Sequence, residues 1–279
     1  MTGEMSVETG PKGQGPRIGY YARLSAAQLE MSALAAMQYR VGFWTEGVLG
    51  MVWSALGIAP LFVAVEHLGS VKGWGRWELV VLTGCFTLLS GLFGALLQPS
   101  LLESMNHIRR GTLDYLLLRP ADALALCLTC SFRPWRLIEA LGGVALIVAG
   151  LAMLGRVPGP EDILAAGATG VAGFVALYAF GVMVLCASFK AMQLQSLTYL
   201  MEALLDFGRW PAQVFPVALR VVFTFVVPLL VMTSYPAEAL LGRLPWATIG
   251  QLAAVSAGLM LVARGLWRRS IRGYTSASS

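Results

Sequence analysis

Three acidic side chains stand in stretches otherwise apolar enough to lie in a membrane: Glu139, Glu202 and Asp206. Desolvating such groups is costly, so they mark a pathway, a relay or an interface by default. Arg136 precedes Glu139 by three residues, and on a helix the two share a face where they could pair. Arg133 and Arg136 can equally sit at the inner interface and snorkel. Glu202 and Asp206 are one turn apart, with Arg209 next along; they suit a polar cavity at a subunit interface or a surface position. Cys127-Leu-Thr-Cys130 has redox or metal-binding spacing, but its apolar setting offers no nearby His and no second pair, and it reads as packing. His67 and His107 fall in loops on opposite sides of the topology set out below, so they share no metal site, and no Ser-His-Asp triad assembles. Lys12, Lys72 and Lys190 are the three lysines, and none stands in the G-x-x-x-x-G-K-[ST] frame of a phosphate-binding loop. The expectation is a chain with no catalytic residue, no metal and no cofactor of its own.

The elements that position these groups follow from composition. Of 279 residues, 57% are hydrophobic and 13% charged, and the mean hydropathy is +0.70. A soluble domain carries about 25% charged residues, so this chain cannot coat a soluble globule. Disordered and collagen-like classes are excluded, and four scattered Cys make no disulfide scaffold. The class is an all-α polytopic membrane protein. A spanning helix needs roughly 20 apolar residues. Six stretches are expected to cross: Phe43–Val65, Glu78–Leu97, Ile138–Leu154, Ile163–Phe189, Ala218–Ser234 and Trp246–Leu266. Residues 1–23 are expected to be a flexible tail, and 24–279 a single membrane domain. Over 24–41 the apolar positions Leu24, Ala27, Met31, Leu34 and Ala35 predict an amphipathic helix lying flat in the interface. The stretch Ala191–Phe207 is helical in pattern but carries Gln193, Gln195, Glu202 and Asp206. It reads as an interfacial or cavity-facing helix, or as a polar span followed by a re-entrant element.

Charge placement sets the orientation. With six spans and the N-terminus inside, 16 of the 20 Lys and Arg fall on the inner side and 4 on the outer. That bias puts both termini in the cytoplasm. Trp74, Trp77, Trp246 and Tyr235 then form an outer aromatic belt. Gly167, Gly170 and Gly173 recur every three residues, which suits close packing within the subunit first and a substrate path second. Pro228 inside the fifth expected span predicts a kink.

The loop after the second span carries the most information. It reads Met105-Asn-His-Ile-Arg-Arg-Gly-Thr-Leu-Asp-Tyr-Leu-Leu-Leu-Arg-Pro120. Ile108, Leu113, Leu116 and Leu117 alternate with Arg109, Arg110, Asp114 and Arg119. Thr112 can cap a short helix and Pro120 can end it. Such a helix presents an apolar stripe rimmed by cations, suited to a groove on a soluble partner; a basic loop that only fixes topology and touches anionic lipid is the alternative.

The stretch Arg109-Arg-Gly-Thr-Leu-Asp-Tyr-Leu-Leu-Leu-Arg-Pro120 resembles the signature loop of permease subunits in ABC-2 type transporters. Agreeing pieces follow in order: Tyr39-Arg40 with Phe43-Trp44, Gly73-Trp74 with Glu78, Trp210-Pro211 with Phe215-Pro216, Tyr235-Pro236-Ala237 and Trp267-Arg268-Arg269. The resemblance runs over roughly residues 25–279. It implies a six-span permease of the cell inner membrane that pairs with a second permease, the same or different. It further implies a coupling helix between spans two and three that docks one of two ABC ATPase subunits. Carried over by position, Arg109, Gly111, Leu113, Asp114, Leu117, Arg119 and Pro120 are the docking residues. ATP and Mg would be held by the partner ATPase. An exporter of an amphipathic or lipid-like substrate is the leading expectation. The alternative is an ATP-independent secondary transporter or membrane-bound enzyme; the repeats and clustered carboxylates that these need are not visible.

Overall fold

The computed structural model describes residues 30–31, 34, 40–114, 118, 122–189 and 203–272. The expected tail over 1–23, most of the expected flat helix over 24–41, and the candidates Leu117, Arg119, Pro120 and Glu202 lie outside the described residues. Those described are helical, with no strand and a single isolated bridge between Val71 and Trp74.

The chain runs through α1 (Arg40–Leu68), α2 (Arg76–Leu96), α3 (Gln98–Arg110), α4 (Ala123–Leu128), α5 (Arg136–Met153) and α6 (Pro160–Ser188). After two 3-10 turns, Phe207–Arg209 and Ala212–Val214, come α7 (Val217–Phe225), α8 (Leu229–Met232), α9 (Ser234–Leu240) and α10 (Trp246–Arg272). Two starts follow one chemistry: the carboxylates of Glu78 and Asp162 reach back to the free N–H groups of Gly75 and Gly159. The α2–α3 rod, α5, α6 and α10 are long and apolar enough to cross a membrane. At 29 residues, α1 is about 43 Å long.

The bundle has two ends. At one, Phe189 packs edge-on against Trp267 at 6.0 Å and Arg264 pairs with Asp122 at 2.8 Å, which gathers the ends of α6 and α10 with the start of α4. At the other, Arg243 pairs with Glu78, and Arg156 with Asp162 at 3.2 Å. These are called the lower and upper ends below.

The apolar run Ala218–Ser234, expected as the fifth span, is not a straight rod. Here α7 and the α8–α9 rod meet at 72°. Pro228, which has no N–H to continue a helix, sits in the break. The flanks of this unit meet each other: Gln213 donates from Nε2 to Glu238 at 2.6 Å, and the Ala212 N–H donates to Ser234 Oγ at 3.1 Å. Gln213 also accepts from Trp74 Nε1 at 2.9 Å. Both flanks are therefore at the upper end, and residues 217–240 form a hairpin that dips into the bundle and returns. Its tip packs on α6, where a β-carbon on Gly173 would lie 2.6 Å from Met232 Cα. The chain changes ends between Ser188 and Trp210. Arg209 and Arg220, counted above on the inner side, leave that count: Arg209 lies within the bundle and Arg220 turns back to the Phe215 carbonyl at 3.4 Å. Without them the bias is 14 to 4.

The tightest packing joins α2 to α5. A β-carbon on Gly143 would lie 2.3 Å from Leu88 N, one on Gly84 2.8 Å from Ile147 N, and one on Gly91 2.6 Å from Ala140 N. Backbone lies on backbone there, which only glycine allows. Of the three α6 glycines singled out above, Gly173 packs closely, while Gly167 and Gly170 face open space. They line an apolar groove of about 590 Å³ between α2, α5 and α6.

Candidate functional site

Two places gather the polar and charged groups that the sequence singles out. The first is the lower loop. Proline at the first turn of α3 restarts the helix beyond Leu97, so the rod runs on to Arg110. Gly111 then ends it at φ 67°, in the left-handed region. The N–H groups of Gly111 and Thr112 close the end onto Ile108 O and His107 O, a glycine-dependent stop. Thr112, expected to cap the helix that follows, thus closes the preceding one, and its hydroxyl lies 2.8 Å from His107 Nδ1. His107 and His67 accordingly sit in the last turns of α3 and α1 rather than in loops. A new turn begins at Asp114, whose carbonyl accepts from the Leu118 N–H at 3.0 Å.

The loop's side chains divide by direction. Leu113 is fully buried in the main core and anchors the loop. Arg109 and Arg110 are exposed, and Leu118 is 82% exposed. Behind them, α3 is hydrogen-bonded to the segment that follows. Ser104 Oγ donates to the Cys127 carbonyl and Ser100 Oγ to that of Ser131, both at 2.7 Å, while the Ser131 N–H donates back to Ser100 Oγ. Asp122 caps α4 through the Leu124 N–H and binds Arg264 of α10. Cys127 and Cys130 belong to this joint. Burial pushes the Cys127 thiol up to about 12 and raises that of Cys130, so both stay protonated at neutral pH. The Cys130 thiol donates to the Cys127 carbonyl at 3.1 Å.

The second place is a cavity of about 620 Å³ between α1, α2, α5 and the Phe207–Arg209 turn. It holds two ion pairs, Arg136 to Glu139 at 2.8 Å and Arg209 to Asp206 at 3.1 Å. The first pairing takes the i,i+3 option left open by the sequence. Glu139 is buried, whereas Asp206 is 67% exposed. Arg209 also sits 4.7 Å from the centroid of the Phe86 ring, a cation–π contact. Leu49, Trp53, Phe93 and Leu205 supply apolar wall, and Ser90 and Gln98 add neutral polar groups.

Helix α1 admits these groups because its facing positions are glycine. A β-carbon on Gly57 would lie 1.5 Å from Arg209 Nη1, and one on Gly50 3.8 Å from Glu139 Oε2. Because Arg136 and Asp206 are partly exposed, removing one member of either pair costs less than the roughly 3–5 kcal/mol typical of a fully buried pair. Sequence reading identified Glu139 and Asp206 but not the roles of Gly57, Phe86 or Arg209. The available signal was Gly47, Gly50 and Gly57 on one face of α1, spaced by three and seven.

A third polar set closes the upper end. Arg243 spans from Glu78 to within 5.9 Å of the Trp74 ring centroid, and Trp74, Gln213 and Glu238 continue the chain of contacts. The pre-α2 loop, the hairpin's two flanks and the entry to α10 are thereby joined.

Apolar rods long enough to cross a membrane, with charge pairs held among them and a cation-bearing loop at one end, define a multi-pass membrane protein. Residues 51–278 match the family described as ABC-2 family transporter protein. The match takes in most of the chain, and the protein belongs to that family. It is the membrane-embedded permease of an ABC transporter, a class whose members assemble with an ABC ATPase and usually with a second permease. No curated protein and no solved structure matches it.

Proposed function

We propose that the protein is the permease half of an ATP-driven exporter of an amphipathic, lipid-like substrate, with ATP and Mg held by a separate ATPase docked on residues 105–120. The observation that carries this reading is the lower loop: Arg109, Arg110 and Leu118 are exposed, while Leu113 between them is buried in the core. An exposed apolar residue close in sequence to cations suits a groove with an acidic edge. In this reading the protein lies in the cell inner membrane with both termini cytoplasmic. Its six crossings are α1, the α2–α3 rod, α5, α6, the Ala191–Phe207 stretch and α10, and the hairpin takes the place of the fifth span first expected. The change of ends between Ser188 and Trp210 supports that assignment. Two permeases, alike or different, would pair through lipid-facing apolar surfaces such as that of α7, where Val217, Val221 and Phe225 are exposed.

Affinity purification of the tagged chain from native membranes in mild detergent, followed by mass spectrometry and an ATPase assay, tests the docking. The wild type should bring down an ABC ATPase, and an Arg109→Glu, Leu118→Asp double variant should lose it while remaining monodisperse. A folded wild type that recovers no ATPase after crosslinking would overturn the proposal.

A further inference from the structure

The cavity beside α1 has a composition that restricts what it can hold. Its four charged groups, Arg136, Glu139, Asp206 and Arg209, are two cations and two anions. A ligand with a single charge can bind one member of a pair only by drawing it from its partner. The cost is greatest for Glu139, which is buried and would be left poorly solvated, and smaller for the more exposed Asp206. An uncharged ligand leaves the pairs intact and gains only hydrogen bonds to their spare donors and lone pairs, without charge matching. A ligand carrying one anionic and one cationic centre can exchange partners with a pair and leave no charge unmatched.

The layout also sets a length. Glu139 lies opposite Gly50 and Arg209 against Gly57. Seven helical residues separate these levels, so the pairs are stacked about 10 Å apart along α1. A compact head fits beside one pair or between the two, and its tail can lie along Leu49 and Trp53, which are largely exposed on α1.

From this arrangement we infer that the cavity is a binding site for the zwitterionic head of a single-tailed or lipid-like amphiphile, matched by exchange with the Arg136–Glu139 and Arg209–Asp206 pairs. The inference rests on the transport reading only in treating such a molecule as cargo; the binding itself needs no ATPase.

Equilibrium binding tests it, with the purified chain in nanodiscs of a neutral glycolipid. The probes share a dodecyl tail, stay below their micellar concentrations, and carry phosphocholine, trimethylammonium, phosphate or maltoside heads. The phosphocholine probe should bind about tenfold more tightly than the other three. The preference should vanish in an Arg136→Gln, Glu139→Gln, Asp206→Asn, Arg209→Gln variant, which removes all four charges and leaves none unpaired. If that variant does not fold, Gly57→Ala serves instead. Its methyl occupies the place of the Arg209 guanidinium and should reduce the preference at least threefold, with no charge removed. Equal binding of the four probes by the wild type, or a preference unchanged in the variant that folds, overturns the inference. Failure here with an ATPase still recovered leaves the permease reading intact; loss of the ATPase with the preference retained refutes that reading alone.

Discussion

Helix α5 packs on α2 through bare backbone, whereas α1 meets the bundle partly through charged side chains. At the first contact, Gly84 and Gly91 face Gly143 and Ala140 with no room for a further methyl. At the second, Gly57 and Gly50 lie against Arg209 and Glu139, at the edge of a cavity. Both contacts use glycine, for opposite ends. In the first, glycine brings main chains together and the result is a fixed wall. In the second, it makes space for long polar side chains, whose contacts can be exchanged without repacking a core. The difference separates a part of the molecule built to hold still from one built to accept a change of partner.

The strongest way to break the comparison is to fill the fixed wall. Gly143→Leu should cost about 3 kcal/mol or prevent folding, since Leu88 backbone atoms occupy its space. Gly167→Leu, which enters the open groove, should change stability by no more than about 0.5 kcal/mol. Thermal unfolding in one detergent measures both, and equal losses would remove the distinction between packed and open glycines. Next in size, Arg209→Ala should cost about 1–3 kcal/mol by the same assay, through loss of the Asp206 pair and the Phe86 contact. Restoring charge balance with Asp206→Asn should recover only part of it. A smaller effect belongs to the upper end. Arg243→Gln should cost at most about 1 kcal/mol, because that pair is partly exposed. It should nonetheless speed deuterium uptake at 234–240 if the pair steadies the hairpin. Smallest for stability is Leu118→Asp, within about 0.5 kcal/mol of wild type, though it should weaken ATPase recovery. A large unfolding effect there would show that Leu118 supports the fold rather than a partner.

Much of this architecture was legible in the apolar runs. The stretches around Ile138–Leu154 and Ile163–Phe189 contain helices within a few residues of their observed limits, because length and hydropathy fix a crossing rod. The hairpin was not, because the largely apolar seventeen-residue run from Ala218 to Ser234 satisfies the same test whether it crosses or turns back. What separates the cases is pairing between the flanks, Gln213 with Glu238, which no local pattern encodes. Pro228 pointed to a break but not to its angle. The lower loop was half legible. Arg109 and Asp114 stood out by charge, but Leu113 looked like part of a presented stripe when its side chain in fact faces the core. The glycines of the α2–α5 contact escaped notice, since the spacing of seven between Gly84 and Gly91 in α2, and between Gly143 and Gly150 in α5, becomes meaningful only once the two helices are set side by side.

The hydrogen-bonded seam behind the lower loop has a mechanical meaning. Ser100 and Ser104 fasten α3 to residues 127–131, Leu113 pins its far end, and Asp122 ties the following turn to Arg264 of α10. The described parts of this region, 98–114 and 122–131, are thus braced against each other and against α10, so a displacement of α3 would be shared with those neighbours instead of being lost in bending a loop.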